Sequence, residues 1–218
     1  MLGLLFLLVG GGYVALGWKL GGVAGVPVTW LGASCLWVGL AYVVNRPQLL
    51  GKRLDGGRHR AALLLWPFLA SVWLAWRLRR WVAEPPWHEI APGLFLGRRA
   101  RRDELPPGTA LIVDLAAELP LSKCDGVAYR GLPTLDGGAP DDAAFLSAVR
   151  EISAFQGNVF IHCAAGRGRS AMLLAGVLID RGLAAGLDDA VALMRRQRPR
   201  VRLTRVQRQL VARAFPPR

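Results

Sequence analysis

Cysteine is scarce, with three residues in 218: Cys35, Cys124 and Cys163. An odd number without metal-ligand spacing argues against a disulfide framework or a zinc site, and points to a reducing compartment. Acidic side chains are few, 15 against 28 Lys and Arg, for a formal net charge of +13. No charge at all falls between Gly21 and Val44. No basic residue precedes the first apolar run, Met1-Leu-Gly-Leu-Leu-Phe6, whereas a secretory signal peptide needs one, so retained anchoring is the expectation. No internal repeat is evident.

Apolar residues, by contrast, make up 53% of the chain, and the mean hydropathy is +0.31. Combined with so high a positive charge, this requires apolar and basic residues to be segregated, as in a membrane region joined to a separate domain. The basic excess suits nucleic acid, an anionic membrane surface or a phosphorylated substrate, and composition does not choose among them.

The segregation is visible along the chain. Leu2 to Trp18 is apolar, Gly or Tyr throughout, Lys19 is the only ionic interruption, and Gly21 to Val44 follows. Both stretches approach or reach the roughly 20 residues that cross a bilayer. A third apolar stretch, Ala61 to Trp76, contains Pro67 and three tryptophans and either spans or lies at the interface. Basic residues flank it on both sides, Arg46 to Arg60 before and Arg77, Arg79 and Arg80 after, so the positive-inside rule places both flanks in the cytoplasm. A spanning hairpin with a shallow or re-entrant third segment satisfies that rule. The expected organisation is an all-α membrane region over 1–82 with two or three transmembrane or interfacial helices, a stiff linker Ala83-Glu-Pro-Pro86, and a cytoplasmic domain over 87–218.

In that domain Leu94 to Leu96, Ala110 to Val113, Val127 to Tyr129 and Val159 to Ile161 are apolar runs of strand length. Helical patterns open at Pro140-Asp-Asp, at Ala171, at Leu187 with Asp188 and Asp189 near its start, and at Thr204. Strands alternating with helices predict an α/β layer fold.

The segment that carries chemistry is Asn158-Val-Phe-Ile-His-Cys-Ala-Ala-Gly-Arg-Gly-Arg-Ser170, an apolar strand, a tight turn and the start of a helix. Such a turn, Ala164, Ala165, Gly166, Arg167 and Gly168 with Arg169 at its end, aims backbone N–H groups at an anion, and the helix end reinforces them. Cys163 then faces the bound phosphorus as a nucleophile. Comparable sites lower a thiol pKa from about 8.5 into roughly the 3.5 to 7.5 range. Arg169 can grip two phosphate oxygens through its planar fork. Ser170 can donate to the sulfur, and His162 is expected to orient the loop. A leaving oxygen also needs an acid. Asp136, in the Gly/Pro-bounded loop Leu132-Pro-Thr-Leu-Asp-Gly-Gly-Ala-Pro140, is the preferred candidate over Asp141 and Asp142, which stand where helix-start carboxylates stand.

His-Cys-x-x-Gly-x-x-Arg-Ser between strand and helix resembles the signature of the protein tyrosine phosphatase superfamily, and the compact dual-specificity branch most of all. The likeness extends over roughly Trp87 to Phe215, with Leu-Pro-Thr-Leu-Asp136 similar to that branch's acid loop and Arg198-Pro-Arg-Val-Arg-Leu-Thr204 similar to its carboxyl-terminal pattern. The acid loop and the Gly-Arg-x-Arg-Ser turn also resemble phosphatidylglycerophosphate phosphatase-type members. Ala164 and Ala165 stand where lipid-directed members often place a lysine, leaving Arg167 as the one extra positive group. The resemblance implies a central, mostly parallel sheet flanked by helices. It also implies phosphomonoester hydrolysis through a cysteinyl-phosphate without metal or cofactor.

The expected partners are a phosphorylated protein or phospholipid substrate and the membrane, with neither nucleic acid nor metal. The competing reading is a membrane-bound module that captures phospho-groups without turnover. Among the remaining residues, Cys35 reads as an apolar filler, Cys124 as a loop residue that could pair with Cys163 under oxidation, and Asp114 and Glu118 as structural. The seven arginines from Arg195 to Arg208 read as a solvated face or as a contact for anionic headgroups.

Overall fold

The computed structural model describes residues 2–79, 84–120 and 126–216, without the side chains of Ala61 and Arg79. The chain forms two compact units. One comprises Met1–Arg53, Gly57–Val82 and Ala117–Pro120, and the other Leu54–Gly56, Ala83–Ala116 and Leu121–Arg218.

The first unit is helical. Helix α1 (Leu2–Leu20) and helix α2 (Gly22–Val43) form an antiparallel hairpin turned at Gly21 and Gly22, both at positive φ. Glycines recur every seven residues on each helix and face one another, Gly3 with Gly39, Gly10 with Gly32 and Gly17 with Gly25. A Cβ on Gly10 would stand 2.8 Å from Leu36 N, and one on Gly32 2.7 Å from Val14 N. The two backbones therefore touch along these glycine faces. The large side chains point outward, with Trp18 87% and Val23 91% exposed.

A 3-10 turn over Arg60–Leu65 leads into α3 (Trp66–Arg79), whose Pro67 sits in the first turn, where its missing N–H costs little. Trp30 Nε1 and Ser34 Oγ both donate to Leu64 O, at 2.8 and 2.9 Å, fixing this turn against α2. Helices α1 and α2 are long and apolar enough to cross a bilayer, and α3 with its lead-in is shorter.

The second unit is a five-stranded α/β domain with strands β1 (Trp87–Ala91), β2 (Leu94–Arg98), β3 (Thr109–Ala116), β4 (Ala128–Thr134) and β5 (Asn158–Cys163), in the order β1-β2-β5-β3-β4. Only β1 runs antiparallel to its neighbour. Helices α4 (Asp142–Ala154), α5 (Arg169–Asp180), α6 (Leu187–Gln197) and α7 (Arg205–Ala214) complete it.

Strand periodicity divides the core. Leu94, Leu96, Leu111, Val113, Val159 and Ile161 face the large cluster with the helices, while Phe95, Ile112 and Phe160 face a smaller one with Trp87 and Tyr129. The anticipated strands lie at β2 to β5 and the anticipated helices at α4 to α7. Strand β1 was not anticipated, because an edge strand of only five residues carrying an exposed Glu89 shows no clean alternation. Helix α5 begins two residues earlier than expected, at Arg169.

Candidate active site

Strand β5 delivers Cys163 to the end of the central strand on the same face as Val159 and Ile161, and α5 starts six residues later. The intervening loop lies close against β2. Gly166 has φ of 68°, and a Cβ there would overlap the Gly97 backbone and stand 2.5 Å from Arg98 N. Only glycine meets both demands. Gly166→Ala is expected to cost at least about 2 kcal/mol, from left-handed strain plus overlap, and to abolish orthophosphate binding. Thermal melting and orthophosphate titration measure the two effects.

Cys163 is 3% exposed, and its Sγ accepts from Gly166 N–H and from Ser170 Oγ, each at 3.3 Å. Burial pushes the thiol pKa up. The Arg169 guanidinium, the Ser170 hydroxyl and the N–H groups of Ser170 and Gly166 together outweigh burial and leave it below its ordinary value.

Arg169, the first residue of α5, is fully enclosed. Its Nη1 donates to Thr134 O at 2.9 Å and its Nη2 lies 3.1 Å from Asp136 Oδ1. The Asp136 side chain is 69% exposed, at the rim of the site. The loop carrying it is held by the start of α7, where Thr204 Oγ1 donates to Gly137 O and Gln207 Nε2 to Gly138 O, each at 2.9 Å. Thr204 and Gln207 also form the capping box of α7, so one pair of side chains serves both tasks. The rival carboxylates are engaged elsewhere. Asp141 Oδ1 caps α4 by accepting from Ala144 N–H at 2.7 Å. Asp142 pairs with Arg213 at 2.7 Å, which holds its carboxyl below the ordinary value.

His162 lies beneath the loop rather than in it, stacked on Phe160 with ring centroids 5.2 Å apart and Nδ1 3.8 Å from Asp114 Oδ1. Asp114 is buried and accepts from Ala116 N–H and Tyr129 O–H. Burial, and then Asp114, push the Tyr129 pKa up.

Arg167, expected among the phosphate-binding residues, has its Nε 3.3 Å from Glu84 Oε2. One expectation needs correction, because the arginine run is not uniformly solvated. Arg195, Arg196, Arg200, Arg202 and Arg205 are exposed, but Arg198 is 1% exposed, with its Nε and Nη2 donating to loop carbonyls. Arginine density hid this residue, whose hints were its place between the end of α6 and Pro199 and the likeness of Arg198-Pro-Arg-Val-Arg-Leu-Thr204 to the branch's carboxyl-terminal pattern. Ala164, Ala165 and Gly168 supply loop backbone. Cys35 is buried in α2, and Cys124 lies outside the described residues.

The fold is that of the compact, dual-specificity-like form of the protein tyrosine phosphatases, a mostly parallel sheet flanked by helices. No protein-family model matches the chain. Among solved structures, Tk-PTP in its active form aligns with 28% identity and a TM-score of 0.52, over 60% of this chain and 96% of that one. The human tyrosine phosphatase-like serine/threonine/tyrosine-interacting protein aligns with 21% identity and a TM-score of 0.54, over 60% and 95%. PTPMT1 in complex with PI(5)P aligns with 20% identity and a TM-score of 0.51, over 59% and 94%.

Proposed function

We propose that the chain is a membrane-anchored hydrolase of phosphomonoesters. The observation that carries this reading is the placement of Cys163 Sγ under two hydrogen-bond donors, with the Arg169 guanidinium reaching from the same loop to Asp136 at 3.1 Å. The Cys163 thiolate attacks phosphorus, an S–P bond forms as the ester P–O bond breaks, and Asp136 gives its proton to the leaving oxygen. Water then attacks the cysteinyl-phosphate and passes a proton to the Asp136 carboxylate. The S–P bond breaks, Ser170 donates to the returning thiolate, and orthophosphate departs. Arg169 and the amides of residues 164–168 meet the charge on the equatorial oxygens.

The substrate is a phosphorylated tyrosine, serine or threonine side chain or a phospholipid headgroup. The anchor is α1 and α2, with the domain over 87–218 in the cytoplasm. Apolar surface on the hairpin's outer faces and backbone contact along its inner face support the anchor, and the basic residues flanking the third apolar segment support the cytoplasmic side.

The full chain in detergent, assayed on an aryl phosphate, on phosphopeptides, on phosphatidylglycerophosphate and on phosphoinositides, tests the reading. Phosphate release is the expected result. Phosphopeptide binding without release would instead favour capture, a reading that the phosphatase-like, interacting-protein name of one structural neighbour keeps in view. Asp136→Asn is expected to lower turnover about 100- to 1,000-fold for esters with poor leaving groups, and far less for an activated aryl phosphate. Equal losses across a leaving-group series would remove Asp136 from the acid role.

A further inference from the structure

Arg198 plays no part in the proposed chemistry, yet it is among the most completely buried charged groups in the domain. It follows α6 and reaches under the loop. Its Nε donates to Gly166 O at 2.8 Å and its Nη2 to Ala165 O at 3.1 Å. On its far side Nη1 donates to Pro85 O at 3.1 Å and to His88 Nδ1 at 3.1 Å, while Glu84 Oε2 stands 3.5 Å from Nη2. Burial, and then the Arg198 charge, lower the His88 pKa, so the ring stays neutral and can accept.

A planar trans peptide holds its C=O and N–H in opposite directions. Ala165 O gripped from behind the loop therefore sends the Gly166 N–H the other way, and that N–H is the one that donates to Cys163 Sγ. Gly166 O gripped from behind orients the Arg167 N–H by the same rule. The loop needs such a constraint, because Gly166 and Gly168 on either side of Arg167 leave its backbone soft.

We infer that Arg198 is a positioning residue: by holding the Ala165 and Gly166 carbonyls from outside, it sets the inward direction of the Gly166 and Arg167 amides, and Glu84 and His88 hold it in place. This rests on the proposed function, in which those amides receive the phosphoryl group. A guanidinium is required because one planar fork reaches two carbonyls on the loop and two acceptors opposite, which the point charge of lysine does not.

The test is Arg198→Lys in the full chain in detergent, a change that preserves charge. Three quantities are read: the pH midpoint of Cys163 alkylation by iodoacetamide, the affinity for orthophosphate, and kcat and KM on an aryl phosphate. The midpoint is expected to rise, orthophosphate to bind about tenfold more weakly, and kcat/KM to fall about 10- to 100-fold. Arg200→Lys, which pairs with Glu84 but is 61% exposed and touches no loop carbonyl, should match wild type. An alkylation midpoint and orthophosphate affinity unchanged in Arg198→Lys overturn the inference. If that variant does not fold, Arg198→Gln, which keeps one donor, is judged by the same two readings. Absence of turnover in wild type would sink the proposed reaction alone, since alkylation and orthophosphate binding report on the loop without it.

Discussion

Replacing Cys163 by serine is expected to lower phosphate release from an aryl phosphate by about 10,000-fold or more, while orthophosphate still binds within about threefold of wild type. The two parts separate because the sulfur and the cradle are different structures. Loop amides, Arg169 and Ser170 remain in place around a hydroxyl of nearly the same size, so the anion keeps its donors. The nucleophile is lost. Arg169 and three hydrogen bonds overcome burial to keep the thiol below its ordinary pKa, but an alcohol starts far too high for the same set to ionise it. On an activated aryl phosphate, which needs Asp136 little, wild-type kcat/KM should accordingly rise with pH as the thiolate forms, with a midpoint below the pH at which a free thiol ionises, and the serine variant should lack that limb. Release from Cys163→Ser within tenfold of wild type would end the cysteinyl-phosphate mechanism.

Arg169→Lys is expected to lower kcat/KM by about 1,000-fold on every ester tested. The guanidinium divides its donors between Thr134 O and the site mouth, and its planar shape lets it keep the first while turning the second toward phosphate. An ammonium group has one nitrogen and cannot do both. It would also leave Thr134 O and the Asp136 loop without their shared contact, so the loss should fall on kcat as well as KM. Thermal melting separates this from unfolding, since a well-folded variant with activity within tenfold of wild type removes Arg169 from the role of clamp.

Much of the α/β unit is legible in the amino-acid sequence because its signals are local. Gly166 and Gly168 mark the turn, Cys163, Arg169 and Ser170 keep fixed spacing across it, and period-2 apolar runs place β2, β3 and β5 around it. Asp136 could be named from its loop, but the grip of Thr204 and Gln207 on Gly137 and Gly138 spans almost seventy residues and leaves no local trace. Arg198 failed for a related reason: charge in a run is a surface signal, and only tertiary contact with Ala165 and Gly166 reverses it. In the apolar unit the glycine spacing stood in plain view. Single residues recurring at seven make no repeated motif, and their meaning emerges only when two helices face each other.

That spacing also dictates how the hairpin can be assembled. In the register present each glycine meets a backbone that leaves little or no room for a Cβ, and a slide of seven would leave one glycine of each helix without its counterpart. Three matched notches thus act as a ratchet with a single engaged setting. In a bilayer, the residues leaving Val43 would then emerge at the same leaflet as Leu2, at a depth determined by steric fit between two backbones rather than by the thickness of the surrounding lipid.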